Sequence, residues 1–160
     1  MADEKKFRVE SDLLGELKVP ADALYGVQTQ RGINNYHISR KTMCDYPDFI
    51  IAIAYVKLAA AQTNHSLGVI NDEISGAMAE ACREIIDGKW HENFPIDMVQ
   101  GGAGTSVNMN ANEVIANRAL EILGRGSTSK RLPNILISFF NSILLQFNNV
   151  LKRCKNKDNN

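Results

Sequence analysis

Three helix-length segments, each followed directly by a glycine, lie within residues 47–124 and restrict the fold more than any other feature. Residues 48–67 carry Ala, Ile and Val on most faces, which predicts burial against several neighbours. Residues 72–87 have apolar side chains at spacings of three and four, which is typical of a helix with one buried face. A third segment covers residues 107–123. The sequence therefore predicts a mainly α fold.

The ends of these segments carry recognisable capping signals. Asp48 follows a proline and is placed to cap the first helix, and Asn71 or Asp72 is placed to cap the second. Glycines suited to ending a helix lie just beyond the three segments: Gly68, Gly88 and Gly124. These glycines mark the predicted ends of the three helices, and a connector that contains Trp90, Phe94 and Pro95 follows the second.

The two ends of the chain differ in character from this helical middle. Residues 7–40 have no sustained helical period because Gly, Pro and an Asn-Asn pair interrupt it, so we expect turns and short extended pieces. After Gly124 the composition becomes small, polar and basic, and residues 132–151 then fit an amphipathic helix rich in Asn, Ile, Leu and Phe. We therefore divide the chain into a first domain, residues 1–124, and an unrelated tail, residues 125–160.

Charge and cysteine content exclude several classes of function. The 18 basic and 18 acidic side chains cancel and form no long block, so neither nucleic acid nor an anionic membrane is an expected partner. The three cysteines lie far apart, which favours reduced thiols in the cytoplasm over disulfides or a zinc site. The three histidines are not at ligand spacing, so no metal site is predicted. The first ten residues contain no secretory signal, and no apolar run is predicted to span a membrane.

The segment GGAGTSVNMNANEVIANR, residues 101–118, is the most informative candidate for a ligand site. Its glycines let backbone N–H groups approach a ligand closely, and they lead into a helix N-terminus, which favours an anion. Thr105, Asn108 and Asn112 are spaced i, i+3 and i+7, so they share one helix face. The hydroxyl and amide groups on that face can bind a carboxylate without forming a salt bridge.

Two other interpretations of this segment compete with ligand binding. A phosphate-binding loop would need a lysine before Ser or Thr, and Thr105 instead follows Gly104 directly, so that interpretation fits poorly. A purely structural one is simpler: the glycines form a tight turn, and Thr105 or Ser106 caps the helix. The helix also contains four asparagines, which form helices poorly and therefore indicate specific side-chain contacts. They are Asn108, Asn110, Asn112 and Asn117.

Two long motifs resemble the aspartase/fumarase superfamily. The stretch ESDLLGELKVPADALYGVQTQR, which begins at Glu10, is similar to the amino-terminal signature of that superfamily. The stretch GGAGTSVNMNANEVIANRALE is similar to its first substrate-binding block. ALYGVQTQR and GGAGTS resemble the aspartate ammonia-lyase branch, whereas class II fumarases more often read WGAQTQR and GTQTN. The resemblance covers residues 7–124.

This resemblance implies a reaction and a set of substrate-binding residues. Enzymes of this kind eliminate ammonia from L-aspartate to give fumarate, and they are homotetramers whose sites combine three sequence blocks from three subunits. The match assigns Thr105 to the substrate carboxylate, with Ser106 and Asn108 beside it. No cofactor is expected.

Other parts of the family pattern do not occur in this sequence. These are the HPND-type and STND-type segments of the second block and the GSSxMPxKxNP loop that bears the catalytic serine. The resemblance therefore implies an amino-terminal fragment, truncated before the long helix bundle, that contains no catalytic residue and is inactive alone. The alternatives are a fragment of a class II fumarase and a non-catalytic assembly module.

Overall fold

One β-hairpin and four helices make up the part of the chain that the structure, a computed structural model, describes: residues 6–102 and 104–125. The strands are β1 (Phe7–Asp12) and β2 (Gly15–Pro20), and the helices are α1 (Val27–Asn35), α2 (Pro47–Ser66), α3 (Asp72–Ile86) and α4 (Thr105–Ile122). Short 3-10 turns precede α2 and follow α3. The predicted mainly α fold with a β-containing start is confirmed.

The hairpin is antiparallel, with Phe7 opposite Pro20 and Asp12 opposite Gly15. The side chain of Arg8 connects it to the segment that leads into α1. The guanidinium of Arg8 donates to the backbone carbonyls of Pro20 at 2.7 Å and Tyr25 at 2.6 Å. It also donates to the carbonyl of Ala23 at 2.7 Å. This one side chain therefore sets the path of the chain between β2 and α1.

Helix α1 is the element that the sequence did not predict. Gly26 is its N-cap residue and offers no side-chain cap. The carboxylate of Glu113 in α4 takes that role, because it accepts hydrogen bonds from the N–H groups of Gly26 at 2.9 Å and Gln28 at 2.8 Å. It accepts two more from Thr29, from N at 3.0 Å and from Oγ1 at 2.7 Å. A carboxylate at a helix N-terminus accepts hydrogen bonds from the unpaired N–H groups, and its negative charge interacts favourably with the positive end of the helix dipole. The expectation of turns and extended pieces alone is therefore wrong for Val27–Asn35.

The core forms where α3 packs against α2 and α4, while α1 packs on another side of α4. Helix α4 is the most deeply embedded element, and its buried residues run from Asn110 to Leu120 with the exception of Arg118. The largest fully buried side chains come from several elements and their connections: Phe94, Met43, Ile50, Met78, Ile85, Ile96, Ile115 and Leu120.

The helix ends agree with the sequence at some positions and differ at others. Asn71 caps α3 by accepting a hydrogen bond from the N–H of Ile74 at 2.9 Å, so this predicted cap is confirmed. Asp48 lies inside the first turn of α2 instead of capping it, because the helix begins one residue earlier, at Pro47. Proline is favoured there since its missing N–H would have no partner within the helix. Helix α4 ends before Gly124, which has a left-handed φ of 66°, as predicted.

Helix α2 is less buried than its composition predicts. Phe49, Tyr55 and Val56 are 39%, 56% and 64% exposed, although the sequence predicts burial on most faces. That expectation is wrong for these residues of the described chain. The helices in residues 6–102 and 104–125 all lack the combination of length and apolar character needed to cross a membrane. The amphipathic helix predicted at 132–151 and most of the predicted tail lie outside the described residues.

We expect Glu113→Ala to destabilise the chain strongly. The change leaves the buried donors of Gly26, Gln28 and Thr29 without their acceptor, and an unsatisfied buried donor typically costs about 1–3 kcal/mol. The free energy of unfolding in urea should fall by about 3 kcal/mol. Glu80→Ala, at an exposed position of α3, is the matched control. Equal losses for the two variants would contradict the anchoring role of Glu113.

Candidate functional site

The glycine-rich loop enters α4 through two residues in the left-handed region of backbone conformation. Gly102 has a φ of 85° and Gly104 a φ of 82°, values that glycine adopts without steric penalty. Gly104 is the N-cap residue, and the cap has no side-chain hydrogen bond. The suggestion that Thr105 or Ser106 caps the helix is therefore wrong.

The side chain of Gln100 bridges the two ends of this loop. Its Oε1 accepts a hydrogen bond from the N–H of Val107 at 3.2 Å, and its Nε2 donates to the carbonyl of Asp97 at 3.3 Å. One amide therefore fixes the distance between the residues before the glycines and the first turn of α4.

The carboxylate of Asp97 attaches this loop to residues 38–41. It accepts hydrogen bonds from the N–H of Ile38 at 2.9 Å and the Oγ of Ser39 at 2.7 Å, and another from the N–H of Val99 at 2.8 Å. The Ser39 hydroxyl bond, together with these backbone donors, lowers the pKa of Asp97 to about 2, although burial opposes the shift. Asp97 is therefore a buried anion that holds the residues just before the glycine-rich loop against residues 38–41.

The three predicted substrate-binding residues occupy different surroundings at the start of α4. Thr105 is exposed in the first turn. Ser106 is half-buried and lies against α1, since a Cβ added to Gly32 would be 3.8 Å from its Oγ. Asn108 is half-buried, and its Oδ1 accepts a hydrogen bond from Nζ of Lys57 at 2.5 Å. Asn108 thus lies on a side of α4 that contacts α2 through Lys57, and Ser106 lies on the side toward α1.

The asparagines of α4 have different roles. Asn110 donates from Nδ2 to the carbonyl of Asn93 at 2.9 Å, and Asn117 donates to the carbonyl of Leu24 at 2.7 Å. The Oδ1 of Asn93 in turn accepts from the N–H of Leu24 at 2.7 Å. These amides stabilise the segment before α1. Asn112 is fully buried one turn beyond Asn108 on the same face. The predicted specific contacts are confirmed for Asn108, Asn110 and Asn117.

Lys57 is the residue of this region that the sequence did not single out. Its side chain is buried in α2, and burial lowers the pKa of its ammonium group to about 8. Cys82 of α3 is close enough to interact electrostatically with it, and burial raises the pKa of that thiol to about 12. The sequence does show a lysine inside an Ala- and Ile-rich helix, which could have marked the position. It gives no indication of the partner, because Asn108 lies 51 residues away.

The described residues offer few other candidates for a site. Arg31 forms an ion pair with Asp12, with Nη2 and Oδ1 2.7 Å apart, so its guanidinium is engaged within the fold. In the ranges 6–102 and 104–125, His, Cys, Asp and Glu side chains form no group of three or more that could bind a metal ion. The loop and first turns of α4 are therefore the strongest candidate site in this part of the chain.

Comparison with known proteins places most of the described region within one family. A family model described as "Lyase" matches residues 15–140, a range that crosses the predicted boundary at Gly124. The aspartate ammonia-lyase of Pseudomonas aeruginosa is 55% identical over 117 residues, which are 73% of this chain and 25% of that enzyme. The chain thus spans about a quarter of the length of the curated relatives it matches.

Solved structures show the same relationship. The fumarate lyase:delta crystallin from Brucella melitensis in native form is 46% identical, with a TM-score of 0.77 over 82% of this chain and 31% of that one. The class II fumarase from Schistosoma mansoni is 36% identical, with a TM-score of 0.75 over 86% of this chain and 31% of that one. At 46% and 36% identity, the likeness is one of sequence as well as of fold.

We expect Asp97→Asn to weaken the protein most near neutral pH. The pKa of Asp97 is lowered to about 2 in the folded chain, against about 3.9 in an unfolded one. The stabilisation it provides is therefore present above pH ~4 and is lost as the pH falls toward 2. The difference in urea midpoint between the two proteins should shrink over that range. Asp87→Asn, at the exposed end of α3, is the control; a difference independent of pH would refute this role of Asp97.

Proposed function

The chain belongs to this lyase family of the aspartase/fumarase superfamily, and we propose that it is the amino-terminal portion of an aspartate ammonia-lyase. The intact enzyme would eliminate ammonia from L-aspartate to give fumarate. The substrate class, a small dicarboxylate, and the homotetrameric assembly of the family are part of the same proposal. So is a cytoplasmic location, which the free thiols of Cys44 and Cys82 support.

One observation supports this proposal above the others: Thr105 and Asn108 share one face directly after the glycine turn. In the elimination, a base removes a proton from C3, the electron pair forms the C2–C3 double bond, and ammonia leaves from C2. Negative charge develops on the carboxylate next to C3 as the proton departs. Hydroxyl and amide donors placed at that carboxylate stabilise the charge without needing to reorganise. Ser106 would complete the set from the side of α1.

The same reasoning indicates that this chain alone is inactive. The reaction needs a base at C3, contacts to both carboxylates and a group near the departing amine. The loop and α4 supply part of one carboxylate contact. The base and the other contacts belong to the second and third family blocks, which this sequence does not contain. A substrate bound without a positioned base loses the general-base contribution, about 10²–10⁴-fold, as well as the advantage of proximity.

A class II fumarase fragment is the second candidate, supported by the likeness to the solved fumarase. Water would then add where ammonia does.

A non-catalytic assembly module would need a free docking surface. The exposed residues Phe49, Tyr55 and Val56 of α2 could provide one, but α4 could not, because most of it is buried inside this chain.

We expect Thr105→Val to reduce turnover in a full-length setting while the fold survives. The test joins residues 1–124 to the remainder of the Pseudomonas aeruginosa aspartate ammonia-lyase. The change keeps the shape of the side chain and removes one donor, so kcat for aspartate should fall by about 10²–10³. Thr63→Val, at an exposed position of α2, is the matched control. Unchanged kcat and KM in the Thr105 variant would show that the assignment is wrong.

The unmodified chimaera tests whether residues 1–124 support the reaction, because its base and remaining substrate contacts come from the Pseudomonas aeruginosa enzyme. We expect it to form fumarate from aspartate, and a folded chimaera that forms none would contradict the aspartate ammonia-lyase proposal. The isolated 160-residue chain should form no fumarate from aspartate above background, measured by ultraviolet absorbance. Turnover by this chain in a preparation free of host enzyme would overturn the proposal that it is an inactive fragment.

A further inference from the structure

Helix α2 presents an exposed stripe along its length in the described part of the chain. The exposed positions recur mainly at spacings of three and four, which places them on one face of the helix. The stripe is apolar through the first three turns, and an apolar residue follows again just after the last turn. A continuous exposed apolar surface is typical of a site that packs against another element. The apolar members are Phe49, Ala52, Tyr55, Val56, Ala59 and Leu67.

The sequence contains a matching apolar face in residues 132–151, which lie outside the described residues. In a helical arrangement the opposite side of this segment carries Asn134, Asn141 and Asn148. Twenty residues of helix are about 30 Å long, which is the length of α2, also 20 residues. The apolar side chains recur at spacings of three and four: Leu132, Leu136, Phe139, Ile143, Phe147 and Val150.

The described chain ends beside the C-terminal end of α2. Arg125 forms an ion pair with Glu73 in the first turn of α3, with Nη2 and Oε1 3.2 Å apart. Asp72, the first residue of α3, is joined to His65 in the last turn of α2, with Oδ1 and Nε2 2.6 Å apart. Residues 126–131 span at most about 20 Å. They can therefore reach the C-terminal end of α2, but not its N-terminal end about 30 Å further on.

We propose that residues 132–151 form an amphipathic helix that packs on the exposed stripe of α2 and runs antiparallel to it. A connection of six residues is within the usual range for neighbouring helices, about 2–8. The same direction brings the basic residues Lys152 and Arg153 to the N-terminal end of α2, where Asp45 and Asp48 provide opposite charge. The inference needs neither a substrate nor a second subunit, so it is independent of the proposed function.

The direct test is photo-cross-linking in the full 160-residue chain, with p-benzoylphenylalanine in place of Phe49 or Leu67. Both side chains are exposed, so the fold should accept the probe. In the monomer isolated after irradiation, mass spectrometry should find the probe at position 49 attached near Val150 and the probe at position 67 attached near Leu132. The same probe in place of Phe7, exposed on the hairpin that packs against α1, should not attach to residues 132–151.

The reverse order of attachment would overturn the inference, and so would links to a second copy alone or no link to residues 132–151. Phe139→Asp places a charge on the apolar face of the segment and should abolish both cross-links. Asn141→Asp, on the opposite side, is the matched control and should retain them. Loss of the cross-links in both variants, or in neither, would contradict the proposed packing.

Amine cross-linking of the unaltered chain tests the same arrangement without any substitution. Lys41 is exposed and precedes the N-terminal end of α2. Antiparallel packing should join it to Lys152, near the end of the segment, and not to Lys130, just before its start. Equal joining to both lysines, as a freely moving segment would give, would overturn the inference.

Discussion

The buried carboxylate of Glu113 is the contact on which the arrangement of the amino-terminal region depends. It supplies the N-terminus of α1 with four hydrogen bonds that no neighbouring residue provides. Burial raises the pKa of this carboxyl while the donors oppose the shift. The fit also requires a glycine at position 26, since a Cβ there would lie 2.9 Å from Glu113 Oε1 and 2.7 Å from Glu10 Oε2. Because Gly32 of α1 packs against Ser106, the placement of α1 also sets one wall of the candidate site.

Helix α4 serves two purposes because its faces are used separately. Asn110, Glu113 and Asn117 recur every three or four residues. Glu113 and Asn117 contact the segment around α1 directly, and Asn110 binds Asn93, which accepts a hydrogen bond from the N–H of Leu24. Asn108 lies on another face, where Lys57 of α2 makes its contact. A helix with polar residues on both faces is expected to be poorly stable by itself. Here Asn110, Glu113 and Asn117 each form a hydrogen bond outside the helix, which makes this polar composition compatible with burial.

The sequence predicted those features that depend on neighbouring residues. The cap of α3 by Asn71 and the end of α4 before Gly124 follow from local patterns, and so does the shared face of Thr105 and Asn108. Helix α1 could not be found in this way, because its cap comes from Glu113, 84 residues beyond Thr29. Lys57 was missed for the same reason, since a lone lysine in an apolar helix gives no indication of which amide it contacts. The exposure of Tyr55 and Val56 depends on which elements surround α2, and helical periodicity does not contain that information.

The long sequence separation of the α1 contacts has a consequence for the order of events during synthesis. The carbonyl of Leu24 is bound by Asn117, which is synthesised 93 residues later, and the hydroxyl of Thr29 is bound by Glu113, 84 residues later. A ribosome that adds ~5–20 residues per second needs about 5–20 seconds to cover that distance. During this interval the nascent α1 segment lacks the Glu113 cap and the packing against α4, whereas α2 and α3, which are adjacent in the chain, can already pair. The amino-terminal segment is thus synthesised first, but its docking onto α4 can be completed only after the pairing of α2 and α3 has become possible.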